Sequence, residues 1–184
     1  RMRQVININE KWAFTKDTDE IPKEMPKRWC WVHLPHTWNN IDGQDGNNDY
    51  YRGTGYYAKM IKRAELPKAD KYFLEIRGAN SSADIYVDGR KLAHHDGGYS
   101  TWRVDITKEL KEESLLVITV DNSQNDSVYP QMADFTFYGG LYRDVNIIGV
   151  SASHFDLEYC GGEGLQVTPV LQGNDAEITI ETWI

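Results

Sequence analysis

The sequence has little cysteine, no long hydrophobic run and no excess of positive charge. Its two cysteines, Cys30 and Cys160, form no Cys-x-x-Cys pair, so neither a disulfide framework nor a zinc cluster is supported. Because cysteine is often fully buried, we expect both to be buried free thiols. No run reaches the roughly eighteen apolar residues of a membrane-spanning helix, and no charged-then-apolar signal pattern opens the sequence.

The charge balance also limits the possible partners. The 28 acidic and 20 basic residues leave a formal net charge of −8, which repels phosphate backbones and anionic lipid surfaces. We therefore expect neither nucleic acid nor a membrane as partner. The sequence contains no phosphate loop, no Gly-x-Ser-x-Gly elbow and no cysteine nucleophile with histidine partners, so no cofactor is expected.

Aromatic residues are plentiful, with 6 Trp, 11 Tyr and 5 Phe among the 184 residues. Aromatic rings stack on sugars, but they also fill the cores of β-sandwiches. The aromatic content is thus compatible with both a glycan-binding and a purely structural role.

The hydrophobic pattern indicates short strands separated by glycine and proline turns. The clearest hairpin joins residues 83–87 to 90–93 across Asp88-Gly89, a dipeptide suited to a two-residue turn. Residues 115–121 are apolar on both faces for much of their length and predict a central strand. With eight or more strands and no long amphipathic helix, we predict an all-β fold, an antiparallel jelly-roll β-sandwich of two sheets over residues 1–150.

A domain boundary is expected near Val150. The last 34 residues contain two or three further strands, which are too few to bury a sandwich core alone. We therefore expect residues 151–184 to be the truncated beginning of a second domain.

Several polar motifs are candidates for chemistry. Residues 39–49 resemble a calcium loop but lack its twelve-residue ligand pattern and terminal glutamate, so no metal site is expected. His94 and His95 precede Asp96, yet adjacent strand residues point to opposite faces and do not easily converge on one ion. His36, which follows a proline at a strand end, is interpreted as a hydrogen-bonded structural histidine.

The stretch 133–144, Ala-Asp-Phe-Thr-Phe-Tyr-Gly-Gly-Leu-Tyr-Arg-Asp, combines aromatics and acids immediately before a strand. A carboxylate beside aromatic faces is a common combination in sugar sites, because it accepts strong hydrogen bonds from hydroxyls. Asp134 has these surroundings in sequence. The chemistry equally allows Asp134 to cap a turn through its own backbone. We expect Gly139-Gly140 to supply backbone freedom for a sharp return.

Several landmarks in one order resemble the amino-terminal sugar-binding domain of glycoside hydrolase family 2, which includes β-galactosidases, β-glucuronidases and β-mannosidases. The resemblance covers residues from about 9 to 149. It rests on Leu34-Pro35-His36-Thr37-Trp38-Asn39, Gly53-Thr54-Gly55-Tyr56-Tyr57, Ile85-Tyr86-Val87-Asp88-Gly89, His95-Asp96-Gly97-Gly98-Tyr99, Val120-Asp121-Asn122 and Gly139-Gly140-Leu141-Tyr142-Arg143-Asp144-Val145. Residues 151–184 resemble the start of the immunoglobulin-like domain that follows in this family.

The resemblance implies a parent retaining glycosidase whose two catalytic carboxylates lie on a barrel domain further along the chain. It implies no catalytic residue in this chain, which should be inactive alone. Asp134, ten residues before Asp144, matches an aspartate that contacts substrate hydroxyls. Arg52 stands where some galactosidases use an asparagine in the active site, so the resemblance does not assign that contact to Arg52. Asn48 or Asp49 is the alternative. Some members bind sodium near the aspartate that matches Asp134. Because this sequence departs from their pattern at Arg52, the resemblance does not assign a sodium site here.

We interpret Arg143 and Asp144 as a structural ion pair or strand anchor. For function, the leading hypothesis is a non-catalytic domain of a β-galactosidase-like enzyme that positions a terminal β-glycoside through Asp134, with a galactoside preferred over a glucuronide. Two other hypotheses are a standalone carbohydrate-binding module and a structural domain that mediates subunit contacts, such as those of a homo-oligomer. The sequence leaves the linkage and the cellular compartment open.

Overall fold

The computed structural model describes residues 3–39, 51–123, 138–158 and 161–184, and nearly all regular structure in these ranges is β-strand. The 3-10 turn Arg63–Glu65 accompanies twelve strands in the described residues. The strands are β1 Gln4–Asn7, β2 Trp12–Thr15, β3 Cys30–Val32, β4 Thr54–Lys62, β5 Lys71–Ile76, β6 Ser82–Val87, β7 Arg90–Asp96, β8 Trp102–Asp105, β9 Glu113–Asp121, β10 Val145–Val150, β11 Leu165–Gln172 and β12 Asp175–Thr182.

Ten of these strands form two antiparallel sheets that pack face to face. The six-stranded sheet has the order β3-β2-β4-β9-β6-β7, and the four-stranded sheet has the order β1-β10-β5-β8. Every pairing between neighbours is antiparallel. The predicted all-β jelly-roll sandwich is confirmed.

The core lies between the two sheets because alternate side chains on each strand face inward. Tyr57 and Ile118 from the larger sheet belong to one buried cluster with Leu74 and Ile147 from the smaller sheet. All four are fully buried. Burial of one such side chain contributes about 1.5–3 kcal/mol, so this cluster supplies much of the stability of the fold.

Two local predictions are confirmed. Asp88 and Gly89 have φ values of 49° and 80°, the positive angles that a type I′ turn requires between β6 and β7. Asp88 also accepts a hydrogen bond from the backbone N–H of Leu115, at 2.8 Å. β9 lies between β4 and β6, and seven of its nine residues are buried, as expected for a central strand.

The expected burial of both cysteines is wrong for Cys30. This residue is a free, exposed thiol on β3, and its neighbour Trp31 is 64% exposed. β3 is a three-residue strand at the edge of the larger sheet, so part of its surface has no neighbour to cover it. Cys160 lies outside the described residues.

The outer face of the four-stranded sheet carries a buried polar network centred on Glu75. Its carboxylate accepts hydrogen bonds from Arg103 Nε at 2.8 Å, Asn146 Nδ2 at 2.9 Å and Arg77 Nε at 3.0 Å. Arg103 Nη1 donates to the carbonyl oxygens of Leu157, at 3.1 Å, and Gly162, at 2.5 Å. The network therefore ties the segment after β10 to the sandwich.

β11 and β12 form a separate two-stranded sheet beyond that segment. All sixteen residues of the hairpin are exposed, and they include apolar side chains. Trp183 is joined to the segment through backbone bonds, donating to Gly164 O at 3.0 Å and accepting from Asp156 N at 2.9 Å. The hairpin thus lies outside the core of the sandwich.

Candidate functional site

Asp134, the residue predicted to contact sugar, lies outside the described residues, as do Asn48 and Asp49. The structure does describe the residues that flank both segments, which are Asn39 and Tyr51 on one side and Ser123 and Tyr138 on the other. The positions of these flanking residues show where each segment leaves the sandwich and where it returns.

Asn39 joins the flanks of the two segments. This fully buried asparagine donates from Nδ2 to the carbonyl oxygen of Tyr51, at 3.1 Å. Its Oδ1 accepts from the backbone N–H of Gly139, at 2.6 Å, and from Asn122 Nδ2, at 3.3 Å. A buried amide with donors and acceptors satisfied in this way fixes the backbone that it contacts.

Asn122 makes a second set of bonds across the same position. Its Oδ1 accepts from Gly53 N at 2.8 Å, and its Nδ2 also donates to Tyr51 O at 3.1 Å. Its backbone N–H donates to Gly53 O at 3.2 Å. Asn39 and Asn122 therefore hold the flanks of segments 40–50 and 124–137 together at one end of the sandwich.

Trp38 packs against this junction and explains two glycines. A Cβ on Gly139 would lie 2.1 Å from the Trp38 ring, and a Cβ on Gly55 would lie 2.4 Å from it. Both positions need glycine because the indole approaches the backbone closely. The backbone N–H of Trp38 also donates to Gly139 O at 3.3 Å.

Gly140 has the conformational freedom expected of the Gly-Gly pair. Its φ of 132° lies in the region that favours glycine, and a Cβ there would lie 2.5 Å from the carbonyl oxygen of His36. The two glycines therefore differ, because Gly139 makes room for a ring and Gly140 also supplies the unusual angle.

His36 is the structural histidine that the sequence predicts. Its Nδ1 lies 2.7 Å from the hydroxyl of Tyr57, and its backbone N–H donates to Leu141 O at 2.8 Å. Burial lowers the pKa of His36, which favours the neutral ring. The hydroxyl of Tyr57 also accepts from Leu141 N at 3.4 Å, so this group links β4 to the returning segment.

Asp144 is a strand anchor, but its partner differs from the one proposed. Its Oδ1 accepts from Asn9 Nδ2 at 2.8 Å, while Asn9 Oδ1 accepts from Val145 N at 3.0 Å. Arg143 is exposed, and its guanidinium lies 5.5 Å from the centre of the Tyr142 ring. Among the ion pairs of the described residues, none joins Arg143 to Asp144.

His94 and His95 face opposite sides of the six-stranded sheet, as their adjacency predicts. His94 lies 2.5 Å from Asp84 and 3.2 Å from Asp96, and these hydrogen bonds raise its pKa. His95 stacks on Trp102 with 4.8 Å between ring centres, and burial lowers its pKa. No group of three or more potential metal ligands occurs in the described ranges.

Sequence reasoning missed a polar groove on the outer face of the six-stranded sheet. It has a volume of about 430 Å³ and is lined by residues of β4, β6, β7 and β9, among them Tyr56 and Thr119. The sequence does show polar residues at alternate positions of these strands. Which of them lie side by side depends on the order of the strands in the sheet, which the sequence pattern does not show.

The family follows from comparison with known proteins. The model described as "Glycosyl hydrolases family 2, sugar binding domain" matches residues 5–150, which include every landmark from the Leu34-Pro35 motif to the Arg143-Asp144 motif. This chain belongs to glycosyl hydrolase family 2.

Relatives within the family bear two enzyme names. A β-glucuronidase of Bacteroides fragilis is 34% identical over 148 residues, covering 79% of this chain and 21% of its own length. A β-galactosidase of Thermoanaerobacter pseudethanolicus is 29% identical, covering 99% of this chain and 25% of its own. The solved structure of an FMN-binding β-glucuronidase from Facaelibacterium prausnitzii L2-6 has a TM-score of 0.86 and 40% identity, with 99% of this chain and 28% of that chain covered.

The family 2 chain thus spans 21% to 28% of the length of these relatives. Its matched region is the sugar-binding domain named by the family model. Among the described residues, no helix is both long and apolar enough to cross a membrane.

Proposed function

We propose that this chain is the non-catalytic sugar-binding domain of a retaining glycoside hydrolase, and that Asp134 contacts a hydroxyl of the terminal β-linked sugar. Hydrolysis in the parent uses two carboxylates outside this chain, one as nucleophile and one as acid/base. The role of this domain is to hold the sugar in the orientation that the two carboxylates require.

The family membership of residues 5–150 is the observation that carries the proposal. The geometry at the flanks supports it further, because Asn39 and Asn122 hold the ends of the Asp134 segment beside the ends of segment 40–50. Asn48 and Asp49, the other candidate contacts, belong to that second segment. The described flanks of the two segments therefore meet at one end of the sandwich.

The sugar itself is proposed only as a terminal β-glycoside. The sequence favours a galactoside, whereas the relatives include both β-glucuronidases and β-galactosidases. Parallel assays of the parent enzyme with a nitrophenyl β-galactoside and a nitrophenyl β-glucuronide decide between these two sugars.

Replacing Asp134 by alanine in the full-length parent tests the contact. A hydrogen bond to a charged acceptor is worth about 1.5–3 kcal/mol, so kcat/KM should fall by about 10- to 100-fold. Asp134→Asn should lose less, because the amide oxygen still accepts. Asp126→Ala, in the same segment, is the matched control and should leave turnover unchanged. Wild-type kcat/KM in Asp134→Ala with both glycosides would refute the contact.

We also propose that residues 151–184 begin a second, immunoglobulin-like sandwich. The hairpin exposes apolar side chains that a further sheet would cover, including Leu171 at 82% exposure and Ile180 at 64%. Amide hydrogen exchange should therefore be slower in β11 and β12 of the parent than in this chain, with β4 and β9 unchanged as internal controls. Equal exchange in both proteins would contradict a covering sheet. Size-exclusion chromatography of this chain shows whether self-association, rather than a sheet of the parent, covers the hairpin.

A further inference from the structure

The groove on the outer face of the six-stranded sheet is a second place where this domain offers binding groups. Its volume of about 430 Å³ lies within the usual 300–1,000 Å³ range of small-molecule sites. Tyr56 and Thr119 line it together with Asp84, Tyr86, His94 and Asp121. None of these residues belongs to the segment that contains Asp134.

Tyr56 and Thr119 form the floor of the groove. They are register partners on β4 and β9, and their neighbours Tyr57 and Ile118 belong to the core cluster on the other face. Strand alternation therefore directs Tyr56 and Thr119 outward. They are only 9% and 8% exposed, respectively.

Neither floor hydroxyl has a hydrogen-bond partner in the described part of the chain, whereas the neighbouring Tyr57 hydroxyl contacts both His36 and Leu141. Among the described residues, the buried polar side-chain atoms that lack a partner are Arg3 Nε and Trp102 Nε1. The hydroxyls of Tyr56 and Thr119 are not among them, so both open onto the groove and are available to a ligand. Burial, with Asp19 and Asp121 nearby, raises the pKa of Tyr56, so its hydroxyl keeps its proton and can donate.

The rim of the groove consists of acceptors that are held in place. Asp84 is fixed by Lys91 at 2.8 Å and by His94 at 2.5 Å. Asp121 accepts from the Thr54 hydroxyl at 2.9 Å and from Ser123 N at 2.6 Å. An ionised carboxylate has about four acceptor positions, so both retain capacity for a ligand hydroxyl.

These groups fit a hydroxyl-rich and uncharged ligand. The described carboxylates and histidines do not converge as a metal site would require. Carboxylates on the rim disfavour an anion such as a uronate or a phosphate. Two tyrosines, a threonine hydroxyl and fixed carboxylates together match the combination of apolar rings and hydrogen-bonding groups that a sugar presents to a protein. We propose that this groove binds a neutral saccharide, at a site separate from the contact proposed for Asp134.

Titration calorimetry of this chain with lactose and, separately, with D-glucuronate tests the proposal. Saturable binding of lactose is expected, with glucuronate at least tenfold weaker. Tyr56→Phe combined with Thr119→Val removes both floor hydroxyls at nearly constant volume and should weaken lactose binding about tenfold. Thermal unfolding checks that the double variant remains folded, which is expected because neither hydroxyl has a protein partner.

Tyr57→Phe is the matched control, because it removes the neighbouring hydroxyl on the opposite face of the same strand. It should retain lactose binding. Asp134→Ala in this chain should also retain lactose binding, which distinguishes the groove from the contact proposed above. The proposal is overturned if lactose does not bind, if the double variant binds as well as wild type, if glucuronate binds equally, or if only Asp134→Ala abolishes binding. None of these results bears on the Asp134 contact, which the turnover of Asp134→Ala in the full-length parent tests separately.

Discussion

Polar side chains on the two outer faces of the sandwich differ in whether the protein supplies their hydrogen-bond partners. On the four-stranded sheet, Glu75 is bonded to Arg103, Arg77 and Asn146, and Arg103 continues to two backbone carbonyls of the following segment. On the six-stranded sheet, Tyr56 and Thr119 are 9% and 8% exposed, and their hydroxyls line the groove without a hydrogen-bond partner in the described residues. The Glu75 network is satisfied by the protein itself, whereas the groove offers hydrogen-bonding groups that the protein leaves unused.

This difference separates a structural role from a binding role. A satisfied buried network fixes the elements that it joins, and removing one member costs stability because the other is left unpaired. An unpartnered hydroxyl contributes nothing to stability, so removing it has little effect on folding but removes a contact available to a ligand. Variants on the two faces should therefore affect different measurements.

The largest expected effect is a loss of folding stability when the Glu75 network is broken. Glu75→Ala removes the buried carboxylate beside Arg103, since the side chains of Glu75 and Arg103 are 2% and 3% exposed. The remaining acidic neighbour of Arg103 is the exposed Glu163, at 3.7 Å. Breaking a buried pair in this way costs about 3–5 kcal/mol. Urea unfolding monitored by tryptophan fluorescence should show the loss as a lower midpoint with an unchanged slope.

The matched control replaces both partners, as Glu75→Met with Arg103→Met. It should recover part of the loss, because no uncompensated charge remains buried. Burial alone would raise the pKa of Glu75, but the bonds from Asn146, Arg77 and Arg103 outweigh it and lower the pKa. The stabilisation by Glu75 is thus present at neutral pH and declines as the pH falls through this lowered pKa. A loss below 1 kcal/mol in Glu75→Ala would contradict the proposed difference between the faces.

A smaller effect is expected from His94 on the rim of the groove. Its pKa is raised by hydrogen bonds to Asp84 and Asp96, so its contribution to stability is fully present below the unfolded pKa of about 6.5. That contribution is lost as the pH rises through the higher folded pKa. Because half of the side chain is exposed, solvent screening limits the effect of His94→Gln to about 0.5 kcal/mol at pH 5.5, and less at pH 8.5.

His95 is the matched control for the pH dependence of stability in His94→Gln. Burial against Trp102 lowers its pKa, so its neutral form is favoured and its effect on stability has the opposite dependence on pH. The pH-dependent part of the change in His95→Gln should therefore have the opposite sign. Identical pH profiles for the two variants would show that the histidines do not occupy different environments.

Much of the fold could be predicted from local patterns. The Asp88-Gly89 turn, the central strand β9 and the opposite directions of His94 and His95 each depend on backbone angles or on the two-residue period of a strand. The resemblance to family 2, confirmed over residues 5–150, rests on short motifs in a fixed order. Such features are visible in the sequence because they involve neighbouring residues.

Other features depend on contacts between distant residues. Cys30 was expected to be buried, but its strand lies at the edge of a sheet, and strand order is not written in the local pattern. For Arg143 and Asp144 the sequence allows a structural ion pair or a strand anchor, and Asp144 is an anchor whose side-chain partner is Asn9, 135 residues away in sequence. The Asp134 contact stays a prediction, since that residue lies outside the described ranges.

The sequence by itself determined the strands, the turns, the family and the alternation that sends Tyr56 and Tyr57 to opposite faces. Only the tertiary structure decided which of these equivalent hydroxyls finds a protein partner. The physical reason is that alternation follows from the geometry of one strand, whereas hydrogen-bond satisfaction depends on what the other sheet, the loops and the connecting segments place opposite each side chain. Tyr57 meets His36 and Leu141, and Tyr56 meets an open groove.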